Sequence, residues 1–347
     1  MNIIRQLTND DYKKIRGCVV DTASNVEPDE KPFDLDEITD FILHGDHPSQ
    51  GIFYPGTRFL QPHMVGMVNA LVDAAKKTRL VNSTVAYQGR TFRCHVMPTH
   101  TGDRYILRRM PNKIMSLMEC GIPKVITREL LSPRLLKGGL IIVSGLPGNG
   151  KSTTLGSIVV DRLTKFGGIC ITVEDPVEMP LDGFHGAGYC LQRSITGEEA
   201  LAGAIKDALR AYPAKTNAMM MIGEIRDSKA AALALRSAVD GRLVMLTMHA
   251  GSVVQSLIRL CSMAAREMSL EEVRELLASS FRMAMHQSLV KDGNGKSQLK
   301  VSVLMDTLQV CGTIKQRSVS LDNLKNDLAH QQNLFRSNQP IELRPAE

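Results

Sequence analysis

The chain has 347 residues and a formal charge of +6, enough length for a large core and two domains. The charge is mild and shows no clustered basic stripe, and Trp is absent with aromatics at 4%, which speaks against nucleic-acid binding by either a charged face or a stacking platform. No run reaches the roughly 18 apolar residues of a membrane span, and seven scattered cysteines without a C-x-x-C pair read as thiols of a reducing compartment, not as a disulfide framework or a zinc site.

In chain order, MNIIRQLTNDDYKK turns polar at once and lacks the apolar segment of a signal peptide. The expected location is therefore cytoplasmic, peripheral to a membrane only through partners. NVEPDEKP at 25–32 reads as a loop, and 35–43 has helical spacing. Between 51 and 97 the strand-like pieces GIFY, TVAYQ and TFRCHVM flank a helical stretch, MVGMVNALVDAAKK. This predicts a small α+β domain over 1–112, preceded by a polar extension. Pro111 and the segment 121–123 mark the passage to a second domain, 113–330.

From Gly138 onward, apolar β-type runs (GLIIVSG, ICITVED, AMMMIGE, LVMLTMH) alternate with helical patterns. Such alternation implies crossover units around a mostly parallel sheet, and near-continuous apolar strands imply cover on both faces. Ser269 followed by Glu272 forms a capping box opening a helix with Val273, Leu276, Leu277, Phe281 and Leu289 near one face. KDGNGK at 291–296 is a turn before a strand at 300–305, and 331–347 reads as a loose polar tail.

The segment GLPGNGKST matches G-x-x-x-x-G-K-[ST] between a strand and a helix. Gly145, Pro147, Gly148, Asn149, Gly150, Lys151, Ser152 and Thr153 are the candidate nucleotide-binding residues. Gly148 and Gly150 let backbone N–H groups turn toward phosphate oxygens, and the helix N-terminus adds its positive end. Lys151 is placed to reach the β- and γ-phosphates of ATP, and the Ser152 hydroxyl to ligate Mg²⁺.

A phosphate loop needs a carboxylate near the metal and a group that positions water. Glu224 ends the run at 219–223, and Glu174-Asp175, with Glu178 beyond, ends the run at 171–173. Carboxylates at strand ends suit either role, although such acids also cap helices. His249, at the end of LVMLTMH, stands where a γ-phosphate sensor would.

With these residues on the page, the chain resembles the type II/type IV secretion ATPase superfamily, in its PilT-like and DotB-like branch. ITVEDPVE, MIGEIRD and TMHAGS follow the phosphate loop in the order of that family's Asp box, Walker B motif and His box. LQRSITGEEALAGAIKDALRAYP, the helix-rich 264–290, and FRCHVM with YILRRMP resemble its intervening segments.

The resemblance implies an α/β fold, a RecA-like P-loop ATPase core with a PAS-like N-terminal domain, assembled as a homo-hexamer. It implies Glu174 as the base that activates water, and Glu224 with Ser152 at Mg²⁺. It also implies arginines from the N-domain that complete the site, by motif Arg93 and Arg108, with Arg109 and Arg104 weaker matches. The implied partner is an inner-membrane platform protein of a type IV pilus, conjugation or type IVB secretion machine, with no direct nucleic-acid contact.

Departures from the family pattern are specific. Gly241-Arg242 stands where Gly-His is usual, no AIRNLIRE-like retraction motif appears, and a four-cysteine element is missing. The missing retraction motif shifts weight away from pilus retraction toward secretion or conjugation, as does HAGS, which resembles that branch's His box. Two other readings share the same core: a nucleic-acid translocase, which would be stimulated by DNA, and a nucleotide-gated scaffold, which would bind ATP without turnover.

Overall fold

The computed structural model describes residues 37–195, 200–291, 293, 297–337 and 339–345. Two compact units divide the chain, Met1–Ile38 and Thr39–Glu347, and the elements below all belong to the second. The loop expected at 25–32, the start of the helix expected at 35–43, and most of the turn at 291–296 lie outside the described residues.

The first sheet is built from β1 (Asp40–His44), β2 (Ile52–Tyr54) and β3 (Arg58–Phe59), then, after α1 (Val65–Thr78), β4 (Asn82–Tyr87), β5 (Arg90–Thr99) and β6 (Gly102–Arg109). It is antiparallel in the order β3-β2-β1-β6-β5-β4. Helix α1 buries Met67, Val68, Leu71, Val72 and Ala75, the apolar stripe its i, i+4 spacing lays out. Phe41 packs near Phe53 and Phe92, with ring centroids 6.4 and 6.0 Å away.

β1 corrects the helix expected at 35–43. Phe41 and Leu43 are buried while Asp40, Ile42 and His44 are half-buried, the two-residue alternation of a strand with one face covered. So short a window satisfies both periods, and pairing with β2 and β6 decides between them.

The second sheet follows a connector, 110–123, and α2 (Lys124–Leu130). Its elements are β7 (Gly139–Ser144), α3 (Lys151–Phe166), β8 (Gly168–Glu174), β9 (Gly183–His185), β10 (Gly188–Ser194), α4 (Leu201–Arg210) and β11 (Ala218–Ile222). Next come α5 (Ser228–Val239), β12 (Leu243–Met248), α6 (Val253–Ala264), α7 (Leu270–Ser280), β13 (Phe281–Lys291), β14 (Ser297–Met305), α8 (Leu308–Lys315) and α9 (Leu324–Arg336). The strand order is β14-β13-β7-β12-β11-β8-β10-β9. β13, β7, β12, β11, β8 and β10 run parallel, and β14 and β9 are antiparallel edges.

Helices cover both faces. Leu140 and Ile142 of β7 pack with Ala230 and Leu235 of α5 and Leu257 of α6, whereas Ile141 and Val143 pack with Leu155, Ile158 and Val159 of α3. Each such fully buried aliphatic side chain contributes roughly 1.5–3 kcal/mol of hydrophobic stabilisation. The connector is held too: Leu117 is buried and donates its N–H to Asp161 Oδ2 of α3 at 3.0 Å.

Two further expectations are corrected. Ser269 caps α7 as expected, accepting from Glu272 N at 3.1 Å, but the helix stops at Ser280, and Phe281 and Leu289 belong to β13. The start of β13, Phe281–Met285, is buried at five consecutive positions, so it shows no two-residue alternation to set it apart from the helix before it. The tail expected to be loose from 331 is ordered instead: α9 runs to Arg336, and Gln331 is buried, exchanging hydrogen bonds of 2.8 and 3.0 Å with the Met305 backbone. Ile341 and Leu343 pack on the core, and the Arg344 guanidinium donates to the carbonyls of Ala278 and Ser279 at 2.9 and 2.8 Å, satisfying orphan groups at the end of α7. Among the described residues no helix is long and apolar enough to cross a membrane.

Candidate active site

Parallel register sets the site. Ser144 is level with Met248, and Ile222 with Leu246 and Val173. The loops that leave β7, β8, β11 and β12 therefore open on one edge of the sheet, beyond the carboxyl ends of its strands, where open α/β sheets bind ligands.

The loop after β7 is clamped from behind. Gly145 has φ 153°, and a Cβ there would lie 2.4 Å from the Gln287 carbonyl oxygen, so no other residue fits. Gln287 Nε2 donates to the Asn149 carbonyl at 2.6 Å, and Leu289 N donates to Asn149 Oδ1 at 3.1 Å. Gly145 and Asn149 thus anchor the loop to β13. Gly148 and Gly150 take φ of 78° and 74°, and a Cβ on Gly148 would meet nothing within 4 Å. The backbone there faces open space, as a phosphate cradle requires.

Lys151 begins α3. Its Nζ donates to the Leu146 carbonyl at 3.1 Å and lies 3.3 Å from His249 Nδ1. Burial pulls its pKa down, opposed by the more distant charges of Glu224 and Glu178. A desolvated ammonium bonded to a neutral acceptor is matched by an anion, so Lys151 fits a phosphate.

The acidic groups are each held differently. Glu174, the last residue of β8, is 3% exposed. Its Oε1 accepts from Gln192 Nε2 at 2.9 Å and its Oε2 from Glu178 N at 3.3 Å. Burial raises its pKa; the hydrogen bonds from Gln192 and the Glu178 N–H oppose that rise. Glu178 accepts the Ser152 hydroxyl. Glu224 accepts from Arg226 Nε and Nη2 at 2.9 and 2.8 Å, which raises the Arg226 pKa. His249 Nδ1 lies 3.3 Å from both Lys151 Nζ and the Gly145 carbonyl oxygen, and its Nε2 lies 3.2 Å from Glu224 Oε1. Arg226 Nη1 also lies 3.8 Å from Asp175 Oδ2. A continuous polar chain therefore runs from Lys151 through His249, Glu224 and Arg226 to Asp175.

The small sheet supplies the opposite wall. Arg93 of β5 and Arg108 of β6 are register partners, and with Arg109 they line a cleft of ≈ 730 Å³ shared with Pro147, Lys151–Thr153 and the acids. That volume suits a small-molecule ligand. Arg93 Nη1 lies 3.7 Å from Glu178 Oε1, and Arg108 Nε lies 2.7 Å from Asp40 Oδ1. Arg104 is not brought into the cleft; its Nη2 donates to Thr101 Oγ1 at 2.8 Å.

The Ser152 hydroxyl and the Glu178 and Glu224 carboxylates are hard oxygen donors of the class Mg²⁺ takes. Three contributors, Gln192, Gln287 and Arg226, fall outside the predicted site residues. They act through amide or guanidinium hydrogen bonds to strand ends that are distant in sequence or register. Arg226, two residues beyond Glu224, Gln192, within LQRSITGEE, and Gln287, within 264–290, sit inside family-like segments.

Comparison with known proteins follows the same outline. The family model of type II/IV secretion system proteins matches residues 77–328. The type IV pilus retraction ATPase PilT of Pseudomonas aeruginosa is 30% identical over 235 residues, 66% of this chain and 64% of that relative. The chain thus spans just under two thirds of that relative's length. Among solved structures, the pilus retraction motor PilT with bound ADP aligns at TM-score 0.69 and 23% identity, covering 89% of this chain and 92% of that one. The Legionella pneumophila ATPase DotB aligns at TM-score 0.63 and 18% identity, covering 86% and 84%. The fold, a parallel α/β sheet with a small N-terminal domain, is the one those two structures share.

Proposed function

This chain belongs to the type II/IV secretion system protein family, and on that premise we propose that it hydrolyses ATP to drive a type IV machine. Its place would be a type IVB secretion or conjugation apparatus or a type IV pilus. The observation that carries this reading is the pairing, in one cleft, of a phosphate loop with a buried, hydrogen-bonded carboxyl at Glu174. Lys151 balances phosphate charge, and the loop's N–H groups bind phosphate oxygens. Glu174, its pKa raised by burial, accepts the proton of the attacking water; a raised pKa makes a stronger base. Mg²⁺, when bound, supplies charge neutralisation at the phosphates, and Ser152 and Glu224 would hold it. His249 links Lys151 to Glu224 and so couples the phosphate-binding end of the cleft to the acids.

Arg93 and Arg108 add positive charge from the small sheet. Closure of that sheet over nucleotide, and its release after hydrolysis, is the motion we assign to the motor, with 1–112 moving against 113–330 about the connector. Six copies acting on an inner-membrane platform protein, without direct nucleic-acid contact, complete the proposal.

Steady-state phosphate release from the purified chain with Mg-ATP, over a range of protein concentrations, tests it. Wild type should turn over with a specific activity that rises with concentration, and Glu174→Gln should bind nucleotide but lose about 10²–10⁴-fold in rate. A near-normal rate in Glu174→Gln moves the base to Glu178 or Glu224. Absence of wild-type turnover under all conditions favours a nucleotide-gated scaffold.

A further inference from the structure

Among the side chains that touch the acids, Gln192 on β10 has the most fully used polar capacity. Its Nε2 donates to Glu174 Oε1 at 2.9 Å and to the Met179 carbonyl at 2.8 Å. Its Oε1 accepts from Leu181 N at 2.6 Å and Asp182 N at 2.8 Å. Its own backbone N–H donates to Asp182 Oδ1 at 3.0 Å. An amide has two donors and two acceptor sites, and here all four are engaged.

The two backbone N–H groups fix which end of the amide is the nitrogen. Turned over, the NH₂ would face two donors and the oxygen would face a carboxylate and a carbonyl. The donor end is therefore committed to Glu174. Register explains the placement: Gln192 is level with Thr172 and Ser194 with Glu174 on the parallel pair β8–β10, so residues 172, 174, 192 and 194 share a face.

The same amide ties down the 176–182 turn at Met179, Leu181 and Asp182. That turn carries Glu178, whose N–H reaches Glu174 Oε2 at 3.3 Å and whose carboxylate accepts the Ser152 hydroxyl. One side chain therefore holds the base directly on one oxygen and, through the turn, on the other.

We infer that Gln192 is a positioning residue for the reaction, holding the Glu174 carboxylate in orientation directly through its amide and indirectly through the 176–182 turn. The inference rests on the reading of Glu174 as the base, and the test separates the two. Burial and the neighbouring Glu178 charge drive the Glu174 carboxyl toward its protonated form; a donor aimed at the carboxylate opposes this. Without Gln192, the carboxyl should stay protonated to higher pH.

The experiment uses the full chain with Gln192→Glu and Gln192→Leu. Gln192→Glu keeps the shape and the oxygen that accepts from Leu181 and Asp182, so the turn and fold are retained. It places a second carboxyl against Glu174, where two like charges cannot both ionise cheaply. Gln192→Leu removes every side-chain hydrogen bond and keeps the backbone one to Asp182. The carboxyl stretch of Glu174 is followed by infrared titration and identified by its loss when Glu174→Gln is added to each background. The pH profile of kcat for ATP and the affinity for ADP are measured alongside.

Expected are an upward shift of the Glu174 titration by roughly one pH unit or more in Gln192→Glu, with a smaller shift of the same sign in Gln192→Leu. The acid limb of kcat should move by a matching amount, with ADP affinity within about twofold of wild type. An unmoved Glu174 titration in both folded variants overturns the inference. A titration that moves while the acid limb stays in place supports the hold of Gln192 on Glu174 and overturns Glu174 as the base.

Discussion

The two sheets solve the problem of burial in opposite ways. The eight-stranded sheet is covered on both faces, so β7 and β12 are buried along their whole length, and its chemistry is confined to strand ends. The six-stranded sheet is antiparallel and alternates buried with half-exposed residues, as in β6, so its strands can project arginines from positions within the strand. Arg93 and Arg108 use that freedom; Glu174, Glu224 and His249 use the strand ends. A parallel sheet concentrates catalytic groups on one edge because all its carboxyl ends face the same way. An antiparallel sheet presents a surface instead, suited to closing over a ligand held by something else.

Substitutions can break this division of labour. Lys151→Ala, on the large sheet's edge, should abolish detectable ATP binding in a fluorescent-nucleotide titration. Retained affinity would remove the loop from the site. Arg108→Ala, on the small sheet, should leave binding measurable and lower turnover by up to about 10³-fold, the low end for an arginine that stabilises transferring phosphate. Mixing Arg108→Ala with Lys151→Ala subunits, neither active alone, should restore part of the activity if the arginine works across a subunit boundary. No recovery in confirmed mixed assemblies would assign it to its own chain's cleft.

Stability should divide along the same line. Ile142→Ala in β7 and Leu107→Ala in β6 each empty a fully buried aliphatic site, a loss of about 2–5 kcal/mol. If the sheets fold as separate domains, calorimetry should show each variant lowering a different transition. A single transition lowered equally by both would merge them into one cooperative body.

The smallest expected effect concerns Glu174 and pH. Burial raises its pKa above the ordinary value of 4.5, so the fold favours the protonated form. That contribution is fully present below 4.5 and is lost as pH rises through the raised value. Glu174→Gln, neutral at every pH, should melt close to wild type at about pH 4 and above it at about pH 8. A constant difference across that range would show that the carboxyl's ionisation is not linked to folding.

Legibility followed the same contrast. Strands β7, β8, β11 and β12 of the large sheet read directly as apolar runs because cover on both faces removes any need for alternation, and the phosphate loop reads from its glycines because only glycine tolerates the Gly145 backbone against Gln287. β1 was misread because nine residues fit two periods. β13 was taken into the preceding helix because the fully buried start of a strand and a buried helix present the same composition. Gln331 and Arg344 looked like residues of a loose polar tail because their partners are backbone groups of β14 and of the residues around the end of α7, which composition does not reveal.

The sequence by itself determined the class of chemistry: Lys151, Ser152, Glu174, Glu224 and His249 lie within short local patterns whose spacing reflects strand–loop–helix geometry. Tertiary structure alone decided which groups meet. It brought Gln192 to Glu174, His249 between Lys151 and Glu224, and Gln287 behind the loop, and it left Arg104 outside the cleft. Register between strands far apart in the chain sets those contacts, and register is a property of packed sheets, not of any local run of residues.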